Sequence, residues 1–94
     1  MESLPARELL DAVHQFPCKF VFKAVGPAGG TFVGTVIDEV RATLSHEFDP
    51  PFEIRETPSG RHVSVTVSPW VESSEEVLLV YARIREIPGL LMLF

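Results

Sequence analysis

Residues 14–18 contain types that could do nucleophilic chemistry. His14 and the chain's one cysteine, Cys18, lie on either side of Pro17. A cysteine becomes a strong nucleophile when a nearby positive charge or a helix N-terminus lowers its pKa. Lys19 follows directly, but consecutive residues of a strand point to opposite faces. We therefore predict that Cys18 is a small buried core residue and does not react.

The three histidines, His14, His46 and His62, could in principle bind a metal. Zinc sites need two or more ligands at short spacings, such as H-x-x-H or paired cysteines. None of these spacings occurs here, so we predict solvent-exposed histidines, no metal and no cofactor. Serine, histidine and aspartate also lack the context of a catalytic motif. The sequence therefore predicts a protein that is not an enzyme.

Residues 26–30, "GPAGG", contain three glycines directly before a predicted helix. A helix N-terminus favours anions because its first N–H groups are unpaired. The stretch lacks the full dinucleotide-binding and P-loop motifs, and the simpler interpretation is a flexible connection. The alternative is a weak site for a carboxylate or phosphate effector. Its predicted residues are Lys23, Gly26, Gly29, Gly30 and Thr31.

Length and charge limit the class of protein. The chain has 94 residues, a net charge of −5 and a pI near 5.0. We predict one domain over 1–94, with 1–17 as an N-terminal helical extension. The eight basic residues are scattered, which disfavours nucleic acid as a partner. A single cysteine, no signal-peptide pattern and no apolar run of about 20 residues favour a cytoplasmic protein with no membrane association.

Hydrophobic periodicity predicts three helices and four strands. The first helix is 5–15, with an inward stripe of Leu9, Leu10 and Val13. The second helix is 31–46 and begins at Thr31, with an inward stripe of Val33, Val36, Ile37, Val40 and Leu44. The third helix is 73–87, with an inward stripe of Val77, Val80, Tyr81 and Ile84. The strands are 18–25, 52–57, 61–68 and 90–94. Ser73 and Glu76 have the spacing of a capping box, in which each side chain bonds the other residue's backbone N–H.

After the first helix, the order of elements is β-α-β-β-α-β. This order is typical of the ferredoxin-like plait, an α+β fold whose four-stranded antiparallel sheet has two helices on one face. Right-handed crossovers predict the strand order 4-1-3-2.

The other face of this sheet is predicted to be open to solvent. Alternation places Lys19, Val21, Lys23 and Val25 on it, together with Ser64 and Thr66. RNA-recognition domains use such a face, but with aromatic residues that stack on bases. The central strands here offer none, so RNA binding is the less favoured alternative. A register shifted by one residue would exchange the two faces and reverse this prediction.

The C-terminal stretch "LLMLF" is apolar on both faces, although it is predicted to lie at a sheet edge. Apolar edges are normally covered or paired. Either the N-terminal helix or a second copy of the chain could cover this one. We predict a homodimer whose interface includes Leu90, Leu91, Met92, Leu93 and Phe94.

Several motifs together resemble the YbeD-like family of small, uncharacterised bacterial proteins. They are Phe16-Pro17, Phe20, Lys23 and Gly26, then Ser59-Gly60-Arg61 leading into Ser64-Val65-Thr66, and Tyr81. The resemblance covers roughly residues 9–94. It implies a βαββαβ domain similar to ACT-type regulatory domains, which bind small effectors such as amino acids at strand–helix loops and between paired domains. One branch of this family carries a lipoate-regulatory label.

These observations predict a small non-catalytic regulatory or adaptor domain that binds a small anionic effector or a protein partner. The alternative is an RNA-associated accessory domain that uses the open sheet face.

Overall fold

The computed structural model describes residues 6–94 and has the α+β architecture expected. Its elements are α1 (Arg7–Val13), β1 (Cys18–Lys19), β2 (Phe22–Pro27), α2 (Phe32–Thr43), β3 (Phe52–Glu56), β4 (His62–Val67), β5 (Trp70–Val71), α3 (Ser74–Arg85) and β6 (Met92–Leu93). The predicted helical position of Pro5 lies outside the described residues.

The strands form two antiparallel sheets, whereas a single sheet was expected. The larger sheet has the order β3-β4-β2-β6, and β1 pairs with β5 in a separate two-stranded sheet. The predicted strand 18–25 is therefore two strands. Pro69 accounts for the division, because it has no N–H group and cannot continue the ladder of β4. Its carbonyl instead accepts a hydrogen bond from the Phe20 N–H, beside the β1–β5 pair.

Pairing of β2 with β4 sets the two faces of the larger sheet. Phe22 lies opposite Val67, and Ala24 lies opposite Val65. These four side chains are fully or almost fully buried. Lys23 lies opposite Thr66, and these residues point to the other, more exposed face.

Helices α2 and α3 cover the apolar face with the stripes that periodicity predicts. Val36, Ile37, Val40 and Leu44 are buried, as are Val77, Val80 and Ile84. Val33 and Tyr81 are only partly buried and pack against this core. Phe32, which the predicted stripe left out, is buried as well. No helix within residues 6–94 is long and apolar enough to span a membrane.

The short helix α1 buries less than predicted. Of its expected stripe, only Leu10 is buried, while Leu9 and Val13 are largely exposed. The helix has seven residues and packs against α3, so a single side chain reaches the core. An ion pair of 3.8 Å between Arg7 and Glu75 joins the two helices at the surface.

The two predicted helix starts differ in detail from the structure. The Ser73 hydroxyl accepts a hydrogen bond from the Glu76 N–H at 3.4 Å, as predicted, but the Glu76 carboxylate accepts from the N–H of Glu72 rather than Ser73. Thr31 is the residue before α2, yet its side chain makes no capping bond. Its carbonyl accepts both the N–H and the hydroxyl of Thr35.

Gly26 is required by a close contact between β2 and α2. It lies on the apolar face, where an added Cβ would be 2.5 Å from the ring of Phe32. Carbon atoms cannot approach so closely, and Phe32 is itself buried. Glycine at this position therefore allows the first turn of α2 to pack on the sheet.

We expect Gly26→Ala to lower the free energy of unfolding by about 1–3 kcal/mol, the usual cost of overpacking a core. Gly34→Ala is the matched control, because Gly34 lies within α2 with no heavy atom within 4 Å of its added Cβ. That change should stabilise the protein by about 0.5–1 kcal/mol through helix propensity. Urea unfolding measures both. Equal stability of the two variants would contradict the close contact between Gly26 and the Phe32 ring.

Candidate functional site

The glycine-rich loop and Lys23 do not form one site. Lys23 and Gly26 are three residues apart on β2, so they point to opposite faces of the sheet. Gly26 faces the core, whereas Gly29 and Gly30 lie in open space beyond the strand. Among the five predicted ligand residues, Lys23 thus belongs to a different surface from the loop.

The surface around Lys23 is the open face of the larger sheet. Glu53, Thr66 and Lys23 form one row across β3, β4 and β2, since Thr66 lies opposite both other residues. Arg55 and Ser64 begin the next row, which continues to Val25. The predicted outward orientation of Lys23, Ser64 and Thr66 is therefore confirmed.

The C-terminal residue completes the Lys23 row on the fourth strand. Phe94 and Lys23 exchange two backbone hydrogen bonds of 2.8 and 3.2 Å. The Lys23 ammonium lies 5.8 Å from the centre of the Phe94 ring, within the range of a cation–π contact. This aromatic neighbour of Lys23 was not predicted, because the predicted strand order places 90–94 beside 18–25 but does not fix the register between them.

A depression of about 410 Å³ lies on this face between β2, β4 and β3. It is lined by Lys23, Glu53, Ile54, Arg55, Ser64 and Thr66. The Ser64 hydroxyl donates a long hydrogen bond of 3.5 Å to the Arg55 carbonyl. Volumes of this size accept small organic molecules. The depression therefore combines two cations, one carboxylate and two hydroxyls around a space for a small ligand.

The second candidate site is the C-terminal edge. Leu91, Met92 and Phe94 are each more than half exposed, whereas Leu90 and Leu93 are partly buried and pack against the core. Among residues 6–94, strand β6 pairs with β2 on one side and with no strand on the other. Helix α1, one of the two predicted covers, packs on α3 and leaves these three side chains exposed. With respect to residues 6–94, the edge is thus apolar and uncovered.

Cys18 is half-buried and not fully buried as predicted. Its side chain still packs against the core cluster.

His14 lies with its ring 4.9 Å from that of Phe20 and so forms part of an aromatic cluster. Within the described part of the chain, no three residues of metal-binding type lie together.

Tyr81 shares that cluster and has a perturbed hydroxyl. Its ring meets Phe22 edge-on at 5.0 Å between centroids and Phe20 at 6.3 Å. Burial raises the pKa of the Tyr81 hydroxyl, because desolvation disfavours the charged phenolate. This arrangement packs α3 onto the sheet.

Comparison with known proteins identifies relatives over most of the chain. Residues 11–94 match the model of a family described as "Protein of unknown function (DUF493)". A UPF0250 protein of Shewanella loihica is 34% identical over 82 residues, covering 87% of this chain and 86% of the relative. A UPF0250 protein of Shewanella sediminis is 29% identical over 79 residues, covering 84% and 88%. These matches confirm the family resemblance drawn from the sequence motifs.

Two solved structures share the fold. Protein HP0495 from H. pylori has a TM-score of 0.65 at 15% identity, covering 100% of this chain and 98% of that one. The ACT domain of GTP pyrophosphokinase from Chlorobium tepidum has a TM-score of 0.52 at 12% identity, covering 82% and 97%. The fold of this chain is therefore ACT-like.

Tyr81 is the chain's single tyrosine, so absorbance at 295 nm reports its ionisation directly. We expect its titration in the folded protein to be displaced to higher pH than in urea. Because the folded pKa is the higher one, the associated stability is complete below the unfolded pKa and is lost as the pH rises through the folded pKa. Tyr81→Phe should abolish both the absorbance change at 295 nm and the associated pH dependence of stability. Coincident titrations with and without urea would contradict this assignment.

Proposed function

Because this chain belongs to the DUF493 family and has an ACT-like fold, we propose that it is a non-catalytic regulatory or adaptor domain. In this proposal it acts by binding a small effector or a protein partner. The observation that carries the proposal is the apolar, uncovered edge at β6. A strand edge of this kind has unpaired backbone groups beside apolar side chains, which favours pairing with another chain.

We propose that the partner at this edge is a second copy of the chain. Two copies related by a twofold axis would present the same residues to each other, which a single apolar edge satisfies without a complementary surface elsewhere. The pairing would cover Leu91 and Met92 and extend the sheet across both copies. A chain of 94 residues also has a small core, so burial of this edge would add to its stability.

The hydroxyl chemistry of the open face supports a binding role over a catalytic one. A serine nucleophile needs a base that takes its proton. Within the described residues, the one hydrogen bond of the Ser64 hydroxyl is 3.5 Å long and goes to the Arg55 carbonyl, not to a side chain that could take its proton.

The RNA alternative has weaker support. The open faces of β2 and β4 present Lys23, Val25, Ser64 and Thr66, without the Phe, Tyr or Trp on central strands that stacking requires. Phe94 adds one aromatic ring to this face, but the ring lies on the edge strand and is already in contact with Lys23.

We expect the wild-type protein to sediment as a dimer and Met92→Lys to weaken that dimer at least about tenfold, the effect of losing about 1.4 kcal/mol at an interface. Leu79→Lys is the matched control, because Leu79 is 51% exposed on α3 and Met92 is 52% exposed on β6. It should leave the dimer unchanged. Sedimentation equilibrium over a range of concentrations measures both, with circular dichroism to confirm folding. A wild-type monomer at all concentrations, or equal effects of the two variants, would overturn the proposed edge pairing.

A further inference from the structure

The depression on the open sheet face contains two cations without a carboxylate partner. Within residues 6–94, Lys23 and Arg55 form no ion pair, whereas Arg7 pairs with Glu75 and Arg41 with Asp49. The chain carries 13 acidic and 8 basic residues, so carboxylates are not scarce. Two cations that form no ion pair therefore line one depression.

These cations lie at diagonal corners of the depression, with hydroxyls between them. Lys23 is on β2 and Arg55 on β3, on either side of the central strand β4 that supplies Ser64 and Thr66. With strands about 4.8 Å apart and a rise of about 3.3 Å per residue, the two Cα atoms are about 12 Å apart. Both side chains are long and flexible, so their charged ends can converge on one small molecule.

A third corner has the opposite charge. Glu53 lies across Thr66 from Lys23 and lines the same depression. A carboxylate accepts hydrogen bonds and repels anions, so a ligand needs a donor group here. The hydroxyl of Thr66, which makes no hydrogen bond within the described residues, lies between the two charges and can donate or accept.

We infer that this depression binds a small carboxylic acid that also carries a hydroxyl or amine donor. Arg55 and Lys23 hold carboxylate oxygens, for which the planar guanidinium offers a two-point bond. Glu53 accepts the donor group, and the hydroxyls of β4 contact the ligand between the charges. The inference deepens the proposed function, because it gives a chemical class to the effector and moves its site from the glycine loop to the sheet.

The test uses full-length protein labelled with ¹⁵N and titrated with L-malate, which has carboxylates and a hydroxyl. We expect chemical-shift changes centred on Lys23, Ser64 and Thr66, with the loop residues 28–31 unaffected. Lys23→Gln and Arg55→Gln should each weaken binding about tenfold, the loss of one charge-assisted contact. Lys19→Gln and Arg61→Gln are matched controls, because both residues are exposed and neither lines the depression. They should bind as the wild type does.

Comparison of ligands tests the role assigned to Glu53. Glu53→Gln should strengthen succinate more than malate, because both ligands gain from removal of a repelling charge but only the malate hydroxyl loses a charged acceptor. If this variant strengthened both ligands alike, the donor requirement would be wrong. If inorganic phosphate bound as tightly as malate and responded to the same variants, the carboxylate class would be wrong.

Sedimentation separates this inference from the dimer proposal. A protein that dimerises but shows no response to malate, or responds only at the loop, overturns the carboxylate site and leaves the edge pairing intact. An RNA oligonucleotide that bound more tightly than malate, and lost binding in Lys23→Gln but not in Lys19→Gln, would replace the small ligand with nucleic acid.

Discussion

Register between β2 and β4 is the constraint on which the rest of this structure depends. Phe22 and Ala24 face the helices because they lie opposite Val67 and Val65, and Lys23 faces solvent because it lies opposite Thr66. A shift of one residue would place the lysine in the core and the phenylalanine in water. Gly26 strengthens this constraint, since only a glycine at that position leaves room for the ring of Phe32.

Each proposed binding surface follows from that register. The helix-covered face takes up the large apolar side chains of β2 and β4, so the polar side chains of the same strands collect on the open face. Lys23 there meets Phe94 from the edge strand and shares a depression with Arg55 from the other side. Within the part of the chain that the structure describes, no further strand lies beyond the edge strand, whose Met92 is apolar and exposed. A polar depression and an apolar edge thus lie next to each other on one sheet.

Much of this arrangement could be predicted from periodicity, because the alternation in 62–67 and the stripe of Val36, Ile37 and Val40 are strong local signals. The division of the first strand could not, since the pairing of Cys18 with Val71 joins residues 53 positions apart and depends on where Pro69 ends the neighbouring ladder. Leu9 and Val13 were misplaced for a related reason: helical spacing shows which residues share a stripe, but not how much of a short helix meets a partner.

For the site, sequence alone placed Lys23 on the open face. It could not bring Arg55 or Phe94 to Lys23, because that juxtaposition arises only from pairing across four strands.

Cross-strand proton contacts in the nuclear magnetic resonance spectrum test this account most directly, because they measure the register itself. With the register described, we expect contacts between the backbones of Phe22 and Val67, Lys23 and Thr66, and Ala24 and Val65. We also expect side-chain contacts between Lys23 and the Phe94 ring. Contacts displaced by one residue, such as Phe22 with Thr66 and Lys23 with Val65, would exchange the two faces and contradict both proposed binding surfaces.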